Sequence, residues 1–139
     1  MSRTMAKILA GFTVFQYTRL GGTLPRLTEP VLIDVESKIK SAVSLLVDAS
    51  HPRKIILFGS QARHEATENS DIDLMVIVEK LKNKEAETMA LYRSLWEEKI
   101  YADVILVSLE HFDFWKDTTN HICNEAFIDG QILYDKTAS

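Results

Sequence analysis

Apolar and polar positions follow one another in two rhythms along this chain, and each change of rhythm marks an element. Val35, Ile39, Ala42, Val43 and Leu46 recur every three or four positions, which predicts a helix over 29–49 with one buried face. Thr28 suits its N-cap, Pro30 its first turn, where a missing N–H costs little, and Ser50-His51-Pro52 its end. The rhythm then shortens. Lys54 to Phe58 is a β-branched and aromatic run that fits a covered strand, stopped by Gly59. Gln61 to Ser70 is strongly polar, with room for a turn of helix at 62–66 and a turn at Asn69-Ser70, and a second strand is expected from Asp71 to Glu79.

After a solvated turn at Lys80 to Lys84, helical spacing resumes. Ala86, Met89, Ala90, Leu91, Leu95 and Trp96 mark an amphipathic helix over 85–98, read as facing the core. Ala102 to Val107 is the third strand, entered through Tyr101. A helix of that length between two strands suits a crossover joining neighbouring sheet positions. Glu110 to Trp115 opens a last helix, with Ile122, Cys123, Ala126 and Phe127 inward and Gly130 at its C′ position. Phe112, Phe114 and Trp115 suit a partner contact as well as a core, and Ile132-Leu133-Tyr134 reads as a terminal strand.

Residues 1–27 break every period at Gly11, Gly21, Gly22 and Pro25, so an N-terminal arm, partly disordered, is expected before a domain over 28–139. The elements together predict one α/β (α+β) domain, a short mixed sheet with helices packed on one face and an acid-bearing edge left open. A length of 139 residues with 46% hydrophobic content agrees with a single core.

Charge and cysteine content narrow the chemistry. The net charge of −4 and the lack of a Lys/Arg stripe disfavour direct nucleic-acid binding. Cys123 is the single cysteine, which excludes an intrachain disulfide and a thiolate zinc cluster; it is expected to pack as a small apolar residue. No apolar stretch approaches the roughly 20 residues that span a bilayer. The basic, briefly apolar N-terminus lacks a small-x-small site and is interrupted by Arg19, so a cytoplasmic protein is expected.

The acids carry the strongest chemical signal. Side chains alternate across a strand, so Asp71 and Asp73 share one face while Ile72 and Leu74 take the other. Magnesium favours hard oxygen ligands, one or two carboxylates with phosphate oxygens and water. Asp103 opens the third strand and converges on the pair if that strand lies beside the second. Three clustered acids repel one another without a cation. Such a triad serves nucleotidyl transfer, in which two divalent ions about 3.5–4 Å apart clamp the attacking and leaving oxygens.

Asp71 and Asp73 would hold both ions, and Asp103 the ion nearest the incoming hydroxyl. Gly59 and Ser60 follow a strand directly, where a small residue lets backbone N–H groups approach phosphate and a hydroxyl can donate. They form no Walker A loop, since no Gly-Lys-Ser/Thr follows. Arg63 suits a triphosphate through its planar fork and equally suits a surface pair with Glu65 or Glu68. His64 is read as a loop residue. His51, His111 and His121 share no spacing with a nucleophile, and no glycine-flanked serine elbow is present.

Gly59-Ser60, ten residues, then Asp71-Ile72-Asp73 resembles the signature of the minimal nucleotidyltransferases of the DNA polymerase beta superfamily. The likeness runs from about Glu29 to Tyr134 and is tightest from Phe58 to Val78. It implies that Gly59, Ser60 and Arg63 contact ATP, and that Asp71, Asp73 and Asp103 are catalytic and hold two Mg²⁺ ions. His64 stands where many relatives have glycine, a change that would reshape the loop over the triphosphate.

Members of this group resemble antitoxins paired with a HEPN-type ribonuclease toxin, to whose tyrosine hydroxyl they transfer AMP. The resemblance therefore implies a protein adenylyltransferase acting in a hetero-oligomer with its toxin. Two other readings stand beside it: nucleotidyl transfer to a small molecule such as an aminoglycoside, and a non-enzymatic antitoxin that acts by contact.

Overall fold

A computed structural model of the chain describes residues 29–59 and 72–137. The expected N-terminal arm, the Thr28 cap and the segment 60–71 lie outside the described residues. Within them the order is α1 (Glu29–Ser50), β1 (Lys54–Phe58), β2 (Asp73–Val78), α2 (Lys84–Glu97), β3 (Asp103–Ser108), α3 (Leu109–Trp115), α4 (Ile122–Asp129) and β4 (Gln131–Asp135).

The strands form one sheet in the order β3-β2-β1-β4. β1 is antiparallel to β2 and to β4, while β2 and β3 run parallel. This is the mixed sheet and α/β class that the hydrophobic rhythm predicts, including a crossover through α2.

Strand alternation divides the core in two. Ile55, Leu57, Leu74, Val76, Val104 and Leu106 point to one face, where Ile39, Ala42, Val43 and Leu46 of α1 and Leu91 and Leu95 of α2 cover them. Ile56, Phe58, Met75, Ile77 and Val107 point to the other, under Phe112 of α3 and Cys123 and Ala126 of α4. The expectation of helices on one face is corrected on this point. The central strands are apolar on both faces, and a sheet buried on both sides needs two covers. Burying each of these large side chains stabilises the fold by roughly 1.5–3 kcal/mol.

Three local readings change for identifiable reasons. The helix expected beyond Glu110 is two helices, because the chain turns after Trp115 and passes Asn120 in the left-handed region (φ 67°). His121 caps the second helix, its Nδ1 accepting from Cys123 N–H at 3.1 Å. Ile122 and Phe127 are consequently exposed rather than inward. On α2 the buried stripe is narrow, Leu91 and Leu95 with Tyr92 beside them, which leaves Met89 and Trp96 exposed.

Gly130 does not adopt the left-handed conformation (φ −75°). A Cβ there would run into Ala126 O and Ile56 Cγ2, so close packing and not backbone sign requires glycine.

Helix α2 has a well-defined start and stop. Asn83 Oδ1 accepts from Ala86 N–H at 3.1 Å, and Glu87 reaches back to Asn83 N–H at 2.7 Å, two reciprocal bonds that satisfy donors at the helix start. At the far end Ile100 N–H bonds Leu95 O and Lys99 N–H bonds Trp96 O, both at 2.9 Å, in the Schellman pattern. Leu95 and Ile100 are both buried in the α1/α2 core cluster, and the turn between them delivers the chain to the start of β3.

Candidate active site

Asp73 is the first residue of β2 and Asp103 the first of β3. The two are direct partners in the parallel ladder, and Asp103 N–H donates to Ile72 O at 2.8 Å. Register partners present their side chains to the same face, and adjacent strands lie about 4.8 Å apart. The face is that of Met75 and Ile77, while Ile72 and Leu74 are buried on the other, as alternation predicts. Asp73 is half-buried and Asp103 exposed. Crossover through α2 brings them together, since a parallel connection starts both strands at the same end of the sheet.

Gly59 closes this end from β1. Phe58 pairs with Asp73, and the next residue, Gly59, turns with φ +76°. A Cβ on Gly59 would collide with Asp73 Oδ2 and lie 3.2 Å from Asp73 Cγ. The missing side chain thus leaves a cradle in which the Asp73 carboxylate sits against the turn.

Ser60, Arg63, His64 and Asp71 lie outside the described residues. Among the described residues no set of three His, Cys, Asp or Glu side chains gathers for a metal. Asp73 and Asp103 provide two of the three expected oxygen donors. The two carboxylates on one rung are hard oxygen donors of the type that a divalent cation such as magnesium takes. Asp73 and Asp103 are the described residues that would hold such an ion.

A cleft of about 250 Å³ adjoins this end of the sheet, lined by Tyr92 and Trp96 of α2 and by Tyr101, Ala102 and Asp103 at the entry to β3. In the sequence Trp96 reads as a core residue of α2 and Tyr101 as strand entry, yet both are exposed. The available signal was register on the helix. Trp96 follows Leu95 directly and so falls beside the buried Leu91–Leu95 stripe.

A larger hollow of about 370 Å³, lined by Lys38, Ser41, Ser44, Leu45, Glu98 and Ile100, contains neither acid.

Among the described residues, His111 belongs to α3 and Cys123 to α4, which His121 caps. Cys123 is fully buried, and burial pushes its thiol upward, so it packs as the small apolar residue expected. His121 stacks on Trp115 with ring centroids 4.7 Å apart, and His111 lies 6.0 Å from His121, on the helix pair that covers the Met75 face. Among the described residues, no helix is long and apolar enough to cross a membrane.

Comparison with known proteins agrees with this geometry. No curated protein and no solved structure matches the chain. The family model described as Polymerase beta, Nucleotidyltransferase matches residues 38–139, which takes in β1, Gly59, both strand-opening aspartates and β4. The chain therefore belongs to the polymerase beta nucleotidyltransferase family.

Proposed function

We propose that this nucleotidyltransferase is a Mg²⁺-dependent protein adenylyltransferase of the cytoplasm. It moves AMP from ATP to a tyrosine hydroxyl of a partner HEPN-type ribonuclease toxin and thereby neutralises it. The observation that carries the chemistry is the shared rung of Asp73 and Asp103 beside the Gly59 cradle. The choice of acceptor and partner rests on the resemblance of Gly59-Ser60 and Asp71-Ile72-Asp73 to the minimal nucleotidyltransferases.

When bound, magnesium ions neutralise the triphosphate and the charge that develops in transfer. The chain's own residues do the rest. Gly59 and Ser60 receive the triphosphate against the turn, and Arg63 holds its outer oxygens. Asp71 and Asp73 fix the metal-bearing end of the nucleotide. Asp103, exposed at the rim, takes the proton of the incoming hydroxyl. The hydroxyl oxygen bonds to the α-phosphorus, the bond from that phosphorus to the α–β bridging oxygen breaks, and pyrophosphate leaves with the electron pair.

Intact mass tests this reading. The protein encoded beside this gene is incubated with this chain, ATP and Mg²⁺. Addition of one or more AMP units, abolished by the double substitution of Asp71 and Asp73 by alanine, is expected. Full transfer by the doubly substituted chain would sink the proposed site. Tight binding of the toxin with neither transfer nor Mg²⁺-ATP binding would instead establish an antitoxin that acts by contact.

A further inference from the structure

We infer that Tyr92 is a positioning residue for the Asp103 carboxylate, and that it acts through the backbone of Val104 without touching the carboxylate itself. The inference rests on the reading of Asp103 as a metal-holding group and deepens it by naming what fixes that group in place.

Strand order leaves the start of β3 in need of support. β3 is at the edge of the sheet, and among the described residues only β2 pairs with it. Backbone groups along a parallel strand point alternately to its two sides. Asp103, whose N–H donates to Ile72 O at 2.8 Å, faces β2, so Val104 turns its N–H and C=O outward. An edge strand presents such groups unpaired. Here a helix supplies the partner: the Tyr92 hydroxyl accepts from Val104 N–H at 3.0 Å and donates to Val104 O at 3.4 Å.

Peptide planarity turns those bonds into control of Asp103. The N–H of Val104 belongs to the planar unit that starts at the Asp103 Cα, and the N–H of Asp103 to the unit that ends there. One plane is tied to β2 and the other to Tyr92. With both planes held, φ and ψ of Asp103 have little freedom, and the direction of its Cα–Cβ bond is set with them. Register then sends the carboxylate to the Met75 and Ile77 face beside Asp73, while Tyr92 packs with the α1/α2 cluster on the other face.

Tyr92 is itself held. It is half-buried against that cluster, and its ring lies 5.5 Å from that of Trp96, one helical turn further on. A phenylalanine would meet the same packing. Only the hydroxyl reaches Val104.

The test compares the full chain with Tyr92→Phe, Asp103→Asn and the double variant, each at a temperature where circular dichroism shows it folded. Each is titrated with Mn²⁺ alone, and affinity is read from paramagnetic broadening at the amides of Gly59 and Leu74. Tyr92→Phe should bind the ion roughly tenfold more weakly, with the three-bond HN–Hα coupling of Asp103 altered and that of Ile105 unchanged. Asp103→Asn should weaken binding at least as much, and adding Tyr92→Phe to it should change nothing further, because the hydroxyl acts through the carboxylate.

If Asp103→Asn weakens the ion but Tyr92→Phe does not, or if the two effects multiply in the double variant, the positioning role is overturned and the reading of Asp103 stands. Unchanged affinity in Asp103→Asn, or no Mn²⁺ broadening at this end of the sheet in the unsubstituted chain, removes Asp103 from the site, and the role of Tyr92 falls with it.

Discussion

Asp73 and Asp103 share one rung of the parallel β2–β3 ladder, each as the first residue of its strand. A slip of one residue between these strands would send the two carboxylates to opposite faces of the sheet. The chemistry of the site therefore depends on strand register, and register in turn on the apolar rungs beyond, Leu74 with Val104 and Val76 with Leu106, all buried under α1 and α2.

Gly59 is the most sensitive small residue near these acids. Gly59→Ala forces an L residue to φ +76° and drives its Cβ into the Asp73 carboxylate. The left-handed backbone alone costs roughly 1–2 kcal/mol, a fall in Tm of several degrees. Displacing the carboxylate by about 1 Å should lower nucleotidyl transfer on the order of 100-fold. Thermal unfolding and intact-mass rates measure the two effects separately. A variant with native Tm and native rate would show that neither the turn nor the cradle matters.

Tyr92→Phe removes a single hydroxyl from the edge of the described sheet. That oxygen accepts from Val104 N–H at 3.0 Å and donates to Val104 O at 3.4 Å. The ring remains, so its contact with Trp96 should persist. Leaving the Val104 amide without its partner should cost about 1–3 kcal/mol, with faster hydrogen exchange at Val104 than at Ile105. Unchanged protection at Val104 would mean that water replaces the hydroxyl without loss.

Lys99 occupies a position that favours glycine. It sits at φ 57° as the C′ residue of the Schellman turn that ends α2. Lys99→Gly should relieve part of the left-handed penalty and raise stability by about 0.5–1 kcal/mol, whereas Lys99→Ala should not. Denaturant midpoints of the two variants decide the matter, and a destabilised glycine variant would contradict the strain assigned to this turn.

His111 should make stability depend on pH near neutrality. Burial beside the Trp115 and His121 rings, with lesser repulsion from Lys84 and from His121, holds its imidazole below the ordinary value of 6.5. A lowered imidazole means that the unfolded chain takes up the proton first as pH falls. The folded state thus keeps its full stability above about 6.5 and loses it progressively as pH drops through the window below that value. In His111→Gln the slope of stability against pH between roughly 7 and 5 should flatten. NMR titration of His111 above its ordinary value would reverse the sign, and titration at that value would remove the dependence.

Much of this organisation was readable before any coordinates. The β-branched run Lys54–Phe58 and the strand after Ile72 fall where alternation puts them, and Ile39, Ala42, Val43 and Leu46 form the predicted inward face of α1. Local signals sufficed there because periodicity and burial coincide. They failed where short-range chemistry was ambiguous. His121 is an unusual cap, so the break between α3 and α4 carried no strong marker in the sequence. Trp96 is apolar and at near-helical spacing, so only its actual rotation on α2 separates cleft wall from core.

By itself the sequence determined the alternation that puts Asp73 opposite Ile72 and Leu74, the placement of Gly59 at a strand end, and the candidate set Gly59, Ser60, Arg63, Asp71, Asp73 and Asp103. These depend on neighbours a few positions away. Tertiary structure alone decided that Asp73 and Asp103 share a rung, that helices cover both faces of the sheet, and that Trp96 and Tyr101 stand beside Asp103. Those relationships join residues distant in the chain. They are set by burying two apolar sheet faces at once and by a crossover that returns the chain to the end from which it started.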